Sequence, residues 1–392
     1  MNFAFFKRGY AKRKNHDLTP CVALALITAA AATLTAQRAP AAAWNPGPAA
    51  AYLDQRMDTW FMRGDKLRTG QGQAICISCH TVIPYAMARP PLRRAMHVAN
   101  PSPQETRLVD ETIRRVQTFG SHQLIFEDET NKLASRGTEA VLYALVLANA
   151  RANGGRRDLR EPIRTSLDHL WETQRADGAW DWLDFSLEPF ESADATYQGA
   201  AWAALAAGMN ARETEGTAGR KKLVTYLRSH YAAQNLYNRA WALLAWARMK
   251  DVLTRAERDA LVADIGARQR DDGGWSLDSL GPWRWSRTAE PFRSPGERDR
   301  SLTSRPDGLA TGLMVYALRQ AGVPADRPVV KTALAWLRAN QQPVRGEDAP
   351  PWRAHSMNYD REHGGARGEP WRRFFMSDAA TAFSVLALTS DE

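Results

Sequence analysis

One loop occurs twice in this chain, each time directly after an amphipathic helical pattern. Residues 174–180 and 269–275 both read Gln-x-x-Asp-Gly-x-Trp. The Asp-Gly pair suits a left-handed turn that ends a helix, because glycine adopts positive φ without a steric penalty. We expect the tryptophan to pack against the loop and the glutamine to bond neighbouring backbone. Residues 340–352 form a degenerate third copy with an insertion.

Amphipathic helices alternate with Ala-rich helices around these loops. Ser102, Asp158 and Thr254 each precede a glutamate by three residues, which is typical of a capping box at a helix start. The Ala-rich helices are predicted over residues 137–149, 194–208, 235–249, 307–321 and 378–389. Amphipathic helices suit an outer ring, in which each helix exposes one face to solvent. Small residues suit an inner ring, in which the helices pack closely. The pattern predicts a repeat of five helical hairpins.

Cysteine usage points to a cofactor. Beyond the N-terminal region the sequence keeps two cysteines, in Cys76-x-x-Cys79-His80, the c-type haem attachment pattern. Two thiols add to the haem vinyl groups and the adjacent imidazole binds the iron, so covalent haem c is the predicted cofactor. A disulfide and a zinc site are the alternatives, although no second Cys/His pair has metal-ligand spacing. Met87 and Met96 are candidate distal ligands.

The first 43 residues read as an export signal. They carry six basic residues against one acidic residue, followed by an apolar run and a small-residue stretch at 41–43. The run is about 16 residues, short for a membrane span, so we expect cleavage, with an uncleaved anchor as the alternative. The predicted location is periplasmic or secreted. The rest of the chain keeps a net charge of only +4, which gives no strong case for nucleic acid.

These patterns divide the chain into three segments. Residues 1–43 are the predicted signal peptide, 44–101 the haem attachment segment and 102–392 the helical repeat domain. The expected fold class is all-α.

The two Gln-x-x-Asp-Gly-x-Trp loops resemble the QW motifs of squalene-hopene and oxidosqualene cyclases, whose helix-hairpin fold protein prenyltransferases share. The resemblance covers about residues 102–392. It implies an α/α toroid, as a closed barrel or a horseshoe, with a central apolar pocket. In that family the QW loops brace the structure and perform no chemistry. The short N-terminal helical segment would bind the haem beside the toroid.

The catalytic motif of the cyclases carries over only in part. They use Asp-x-Asp-Asp-Thr at the start of an inner helix, and here Ser192 to Thr196 reads Ser-Ala-Asp-Ala-Thr. Asp194 is the candidate general acid, although loss of its flanking acids weakens alkene protonation. Asp307 begins an inner helix in the same way, which favours helix capping for both aspartates. Residues 102–392 contain no cysteine, so the zinc site of the prenyltransferases is not expected.

Three functions agree with these expectations. The first is an exported c-type haem protein for redox chemistry or electron transfer, whose toroid binds an apolar, isoprenoid-like ligand. The second is a terpenoid-cyclase-like enzyme using Asp194, and the third is a non-catalytic haem-bearing scaffold or sensor. An enzyme of this kind would be a haem-dependent oxidoreductase or a cyclase. The expected partners are an apolar small molecule, an electron-transfer protein and the membrane surface, and no nucleic acid.

Overall fold

The computed structural model of the chain describes residues 44–64, 66–69, 72–121, 128–154, 157–283, 303–343, 349–357 and 370–390. Contacts divide the chain into Met1–Pro40 and Ala41–Glu392. The first unit, with the predicted signal peptide, lies outside the described residues, all of which belong to the second unit. None of the described helices is both long and apolar enough to cross a membrane.

Most of the described residues lie in helices, and the described part of the chain also contains one small β-hairpin. Strands β1 (Lys66–Thr69) and β2 (Gly72–Ile75) pair antiparallel, an element that the sequence patterns did not predict. The helices are α1 (Pro46–Arg63), α2 (Val82–Ala95), α3 (Pro103–Gln117), α4 (Glu129–Ala152), α5 (Arg160–Glu172), α6 (Ala195–Met209), α7 (Ala211–Thr214), α8 (Ala218–His230), α9 (Leu236–Arg248), α10 (Arg255–Ala267), α11 (Gly308–Gln320), α12 (Pro328–Ala339) and α13 (Phe375–Leu388).

Six inner helices form a closed ring. Helix α2 contacts α4, and the contacts continue through α6, α9, α11 and α13, which returns to α2. The predicted all-α toroid fold is therefore confirmed, and it closes as a barrel. The repeat count was one hairpin short, because α1 and α2, in the segment assigned to haem attachment, supply the sixth. Binding of haem by this segment stays a prediction.

Small side chains let the inner helices approach closely. Helix α6 is buried along most of its length, including a run of seven alanines and glycines interrupted only by Trp202 and Leu205. A Cβ added to Gly312 of α11 would lie 2.5 Å from the backbone carbonyl carbon of Phe383 in α13. Glycine is needed there because any side chain would force the two helices apart.

Helix starts follow the sequence signals in two of three cases. Ser102 and Thr254 both complete capping boxes, with hydrogen bonds in each direction between cap and glutamate. Asp158 instead lies in the short 3-10 helix Arg157–Leu159, and α5 begins at Arg160 without a side-chain cap. The N-cap position of α5 is therefore Leu159 and not Asp158, as the sequence pattern predicted.

The repeated loops end the outer helices as expected. Gly178 and Gly273 have φ of +98° and +95°, which is the left-handed turn of the Asp-Gly pairs. Each tryptophan donates its indole N–H to a carbonyl of the preceding outer helix. These bonds run from Trp180 to Leu170, from Trp275 to Ile265 and from Trp352 to Leu337, each at 2.9 Å. The third, degenerate copy therefore makes the same contact as the other two.

The loop glutamines connect each outer helix to the next. Gln174 donates to the Gly219 carbonyl of α8 at 3.1 Å, and Gln269 donates to the Val329 carbonyl of α12 at 2.8 Å. Gln341 exchanges two bonds with the backbone of Asn45, the residue that caps α1. This last pair joins the end of the ring to its beginning.

Replacing Gln269 by alanine should lower the free energy of unfolding by about 1–3 kcal/mol, because the Gly273 and Val329 carbonyls lose their shared donor. Urea unfolding followed by circular dichroism measures the change. Gln342→Ala is the matched control, since this exposed residue uses its side chain to bond only the neighbouring Asn340 carbonyl. Equal stability of the two variants would contradict the bridging role.

Candidate functional site

The inner helices all begin at the same end of the ring, which we call the mouth. This follows from the hairpin order, because every inner helix is entered from an outer helix. The helix starts bring Thr81, Asp194, Asn235, Asp307 and Asp378 to this end. Backbone N–H groups at helix N-termini carry partial positive charge, so the mouth favours negative groups.

The Cys76-x-x-Cys79-His80 motif lies at the mouth, between β2 and α2. Trp60 of α1 donates its indole N–H to the Cys76 carbonyl at 2.7 Å, which fixes the start of the motif. Both cysteines are reduced thiols, and Cys79 is only 2% exposed. Burial, with the nearby Glu191 and Cys76, raises the pKa of the Cys79 thiol well above its usual range. Cys79 is therefore protonated at neutral pH and is a poor nucleophile in this state.

A buried carboxylate organises the next two residues of the motif. Asp378 of α13 accepts hydrogen bonds from the Tyr52 hydroxyl at 2.8 Å and from Arg56 Nε at 2.7 Å. Its second oxygen accepts from Arg56 Nη2 at 3.1 Å and from the Thr81 hydroxyl at 2.7 Å. Thr81 Oγ1 lies 2.9 Å from Nδ1 of His80. We call these five residues the His80 network.

The imidazole of His80 is held on two sides. It stacks on Phe375 of α13, with ring centroids 3.7 Å apart and an angle of 18° between the planes. Trp60 meets it edge-on at 5.5 Å. His80 is 8% exposed, so packing as well as hydrogen bonding fixes its ring orientation.

A loop with two glutamates lies beside the motif, between the Trp182 indole and α6. Trp182 donates to the Phe190 carbonyl at 2.9 Å, and the Glu191 carbonyl accepts from the backbone of Leu187. Glu188 is 2% exposed and accepts a hydrogen bond from Ser192 at 2.7 Å. We call residues 183–194 the glutamate loop.

Both glutamates lie close to groups from other parts of the ring. Glu191 helps to raise the pKa of Cys79. Burial raises the pKa of the Tyr237 phenol in α9, and Glu188 and Cys79 add to that increase. The Tyr237 ring also packs against Trp283 at 5.3 Å. The charges of the two glutamates therefore act on a thiol and a phenol at one side of the mouth, and the phenol lies next to an aromatic ring.

Asp307 is a buried helix cap. Its Oδ1 accepts from the backbone N–H groups of Leu309 and Ala310, and its Oδ2 accepts from Leu277 at 3.0 Å. Burial raises the pKa of Asp307 to about 7, against the opposing effect of these three donors. Its oxygens are committed to backbone, so the capping role predicted for it is confirmed.

The other residues singled out in the sequence lie on or at the ends of α6 and α2. Asp194 is at the N-cap position of α6, but its side chain makes no capping bond, and its carbonyl accepts from Asn238 at 2.8 Å. Met87 is buried within α2, and Met96 follows the end of that helix. A catalytic role for Asp194 and iron ligation by either methionine stay predictions.

Sequence reasoning missed the long-range members of this site. In the sequence Asp378 marks only the start of an inner helix, and Arg56 and Tyr52 belong to no motif. Glu188 and Glu191 lie in a loop with no repeat partner. Among the described residues no group of three His, Cys, Asp or Glu side chains is placed to hold a metal ion.

No family model matches the sequence, and no curated protein matches it. Among solved structures the chain is similar to the unsaturated glucuronyl hydrolase of Bacillus sp. GL1, responsible for the degradation of glycosaminoglycan. The TM-score is 0.51 at 11% identity, over 85% of this chain and 94% of that one. An unsaturated glucuronyl hydrolase from Streptococcus agalactiae, at 10% identity over 90% and 94% of the chains, reaches a TM-score of only 0.48. A family 88 glycosyl hydrolase from Bacteroides vulgatus, at 13% identity over 79% and 90%, reaches 0.44. Neither of these two weaker similarities bears on function.

These findings correct the family expectation. The fold similarity is to a glucuronyl hydrolase and not to a squalene cyclase, a prenyltransferase or a cytochrome c fusion. The physical reason is that the QW-type loop ends one outer helix and bonds the next, so it reports how the helices pack and not which reaction the protein performs. The Cys-x-x-Cys-His segment is likewise part of the ring, because α2 is one of its inner helices.

The functions expected from the haem motif and from that family are also wrong. These were haem redox or electron transfer with an apolar isoprenoid-like ligand, terpenoid cyclisation by Asp194, and a haem-bearing scaffold or sensor. The sequence also predicted metal binding, and no group of three or more His, Cys, Asp or Glu side chains that could hold a metal ion is found among the described residues.

The pKa of Asp307 predicts a specific pH dependence of stability. A folded-state pKa of about 7 lies above the unfolded value of about 4, so the folded state binds more protons between these values. The stability contributed by Asp307 therefore falls as pH rises from about 4 to about 7. In Asp307→Asn this contribution should disappear, while the amide oxygen can still cap α11.

Urea unfolding of both proteins across this pH range measures the effect. The difference between wild type and variant isolates Asp307 from the other carboxylates, several of which have lowered pKa values, such as Asp177 and Glu213. Parallel stability profiles for the two proteins would show that Asp307 does not titrate in this range.

Proposed function

We propose that this protein hydrolyses a glycoside, and that its substrate is an acidic saccharide bound at the mouth of the ring. The observation that carries the proposal is the toroid similarity to an unsaturated glucuronyl hydrolase, which extends over 85% of this chain and 94% of that one. Identity is 11%, so the comparison supplies the fold, and the chemistry depends on the residues at the mouth.

The mouth contains the functional groups that glycoside hydrolysis uses. A pair of carboxyl groups is required, one to protonate the leaving oxygen and one to assist the attacking water or the sugar carbon. Glu188 and Glu191 are the best candidates for this pair, because Glu191 acts electrostatically on Cys79 and Glu188 on Tyr237. Asp307 and Asp378 are less suited, since backbone N–H groups and an arginine already occupy their oxygens.

Charge at the mouth favours an acidic sugar. Inner-helix N-termini converge on the mouth and attract a carboxylate. Tyr237 and Trp283 are buried beside each other there, with ring centroids 5.3 Å apart, and support the site from within. A uronic acid carries the negative group that such a mouth attracts.

Purified protein should therefore hydrolyse unsaturated uronyl oligosaccharides prepared by lyase digestion of glycosaminoglycans, measured as loss of the ultraviolet absorbance of the ring double bond. Glu188→Gln and Glu191→Gln should each lower kcat by about 10²- to 10⁴-fold, because each removes proton transfer without changing size. Glu215→Gln is the matched control, since the Glu215 side chain is 69% exposed. No turnover by a folded wild type on uronyl and neutral saccharides would end the proposal.

Covalent haem is a separate proposal about the cofactor and makes no claim of a redox function. The donor set fits the group: Cys76 and Cys79 are reduced thiols and His80 follows them directly. When bound, haem would supply an iron coordinated by His80. Protein exported with a c-type maturation system should show a Soret band and a haem stain that survives denaturation, both lost in Cys76→Ala. Colourless protein under these conditions would contradict haem attachment.

The remaining sequence predictions stay proposals. They are export to the periplasm or beyond, contact with an apolar small molecule, an electron-transfer protein or the membrane surface, and the absence of nucleic-acid binding.

A further inference from the structure

Three arginines with exposed side chains lie at the mouth, beside the first residues of two inner helices. Arg305 precedes α11 by three residues, and the carbonyl of Arg353 accepts the N–H of Gly308, the first residue of α11, at 3.0 Å. Arg373 belongs to the short 3-10 helix Pro370–Phe374, which leads directly into α13. All three side chains are exposed. We call these three residues the arginine rim.

Packing places Arg353 where α11 and α13 meet. The carbonyl of the preceding residue, Trp352, accepts from the Thr381 hydroxyl of α13 at 3.3 Å. On the other side, a Cβ added to Gly308 of α11 would lie 2.6 Å from the Cβ of Trp352. The backbone of Arg353 is therefore fixed between two neighbouring inner helices, while its guanidinium group reaches solvent at the mouth.

The charges of the arginine rim have no acidic partner among the described residues. None of the three guanidinium groups forms an ion pair or a hydrogen bond there. Arg373 packs its guanidinium carbon 4.5 Å from the centre of the Phe374 ring, which leaves its charge unneutralised. The two acids at these helix starts have other partners, because backbone N–H groups bond Asp307 and Arg56 pairs with Asp378.

Helix electrostatics do not explain these positions. The N-terminus of a helix carries partial positive charge, so a cation is favoured at the opposite end and not here. The exposed Asp278, which follows the residue whose N–H bonds Asp307, offsets at most one of the three charges. The α11 and α13 side of the mouth therefore has an excess of positive charge. A guanidinium group pairs well with a carboxylate or sulfate, because its planar N–H groups match two of the oxygens.

The arginine rim and the glutamate loop lie on different sides of the mouth. The glutamate loop leads into α6, and in the order of the ring α6 and α13 are three positions apart among six inner helices. A saccharide whose acidic group binds the rim can therefore extend across the mouth towards the candidate acids.

We propose that the arginine rim binds the acidic group of the saccharide, a carboxylate or a sulfate ester, and so selects acidic over neutral sugars. The inference rests on the proposed glycoside hydrolysis for its class of ligand. It deepens that function by assigning the residues that determine specificity.

Monosaccharides test this binding without turnover, because they contain no glycosidic bond. Calorimetric titration of the purified full chain should show at least one of glucuronate and glucose 6-sulfate binding about 10-fold more tightly than glucose. Binding of glucuronate alone would identify a carboxylate site, and binding of the sulfate ester alone a sulfate site. Equal affinity of the wild type for the acidic sugars and glucose would overturn the proposal.

Substitutions assign the effect to the rim. Arg353→Gln should weaken binding of the acidic sugar about 3- to 10-fold and leave glucose unchanged, whereas Arg353→Lys, which keeps the charge, should lose less. Replacing Arg305, Arg353 and Arg373 together by glutamine should remove the preference for acidic sugars. Arg255→Gln is the matched control, because Arg255 is an exposed first residue of α10, which begins at the opposite end of the ring.

Kinetics separate the arginine rim from the proposed reaction. Substitutions in the rim should raise KM for unsaturated uronyl oligosaccharides and leave kcat nearly unchanged, since these arginines bind substrate and do not react. Binding of acidic sugars without turnover would support the rim and contradict hydrolysis. An unchanged preference and KM in the triple variant, with circular dichroism showing it folded, would contradict the rim alone. The single variants give the same decision if the triple variant does not fold.

Discussion

The buried ion pair between Arg56 and Asp378 joins the first hairpin of the ring to the last. Both side chains are almost fully removed from water, at 4% and 1% exposure, so each charge loses its hydration. This loss of hydration is offset only when the hydrogen bonds between the two charges have good geometry and the remaining polar atoms also have partners. Here Tyr52 and Thr81 complete the set around the carboxylate. The pair therefore specifies which surfaces meet when the ring closes.

Closure also determines where the cysteine motif lies. If α1 and α2 were a separate segment, the motif would face solvent or a domain boundary. Because α2 is an inner helix between α13 and α4, the motif leads directly into the mouth. Glu191 and Tyr237, which come from distant parts of the chain, then become its neighbours. The chemical meaning of these few residues therefore depends on the ring around them.

Local sequence patterns predicted much of the fold. Contacts between residues far apart in the chain left no pattern in the sequence and could not be predicted. Capping boxes at Ser102 and Thr254 and the Asp-Gly turns depend on residues within one helical turn, so a single sequence reveals them. The Arg56–Asp378 pair spans 322 residues and carries no local pattern. The position of the glutamate loop could not be predicted either, because its composition does not indicate that it lies near Cys79.

The family inference failed for a related reason. A Trp–carbonyl bond and a Gln bridge are properties of hairpin packing, and the same contacts recur at Trp180, Trp275 and Trp352. Features that stabilise an architecture report the architecture, whereas activity is set by side chains at the mouth. The QW-type loops were therefore a sound guide to the toroid and a poor guide to its reaction.

The acidic side chains at the mouth fall into two groups according to their hydrogen-bond donors. Asp307 is bonded by three backbone N–H groups, and Asp378 is bonded by an arginine and two hydroxyls, so both serve the architecture. Glu188 instead accepts from a side-chain hydroxyl within its own loop. This bond ties the carboxylate to its own loop and joins no two helices of the ring. This separation is what acid–base chemistry at the end of a helical barrel requires, because the reacting groups must titrate while the frame stays fixed.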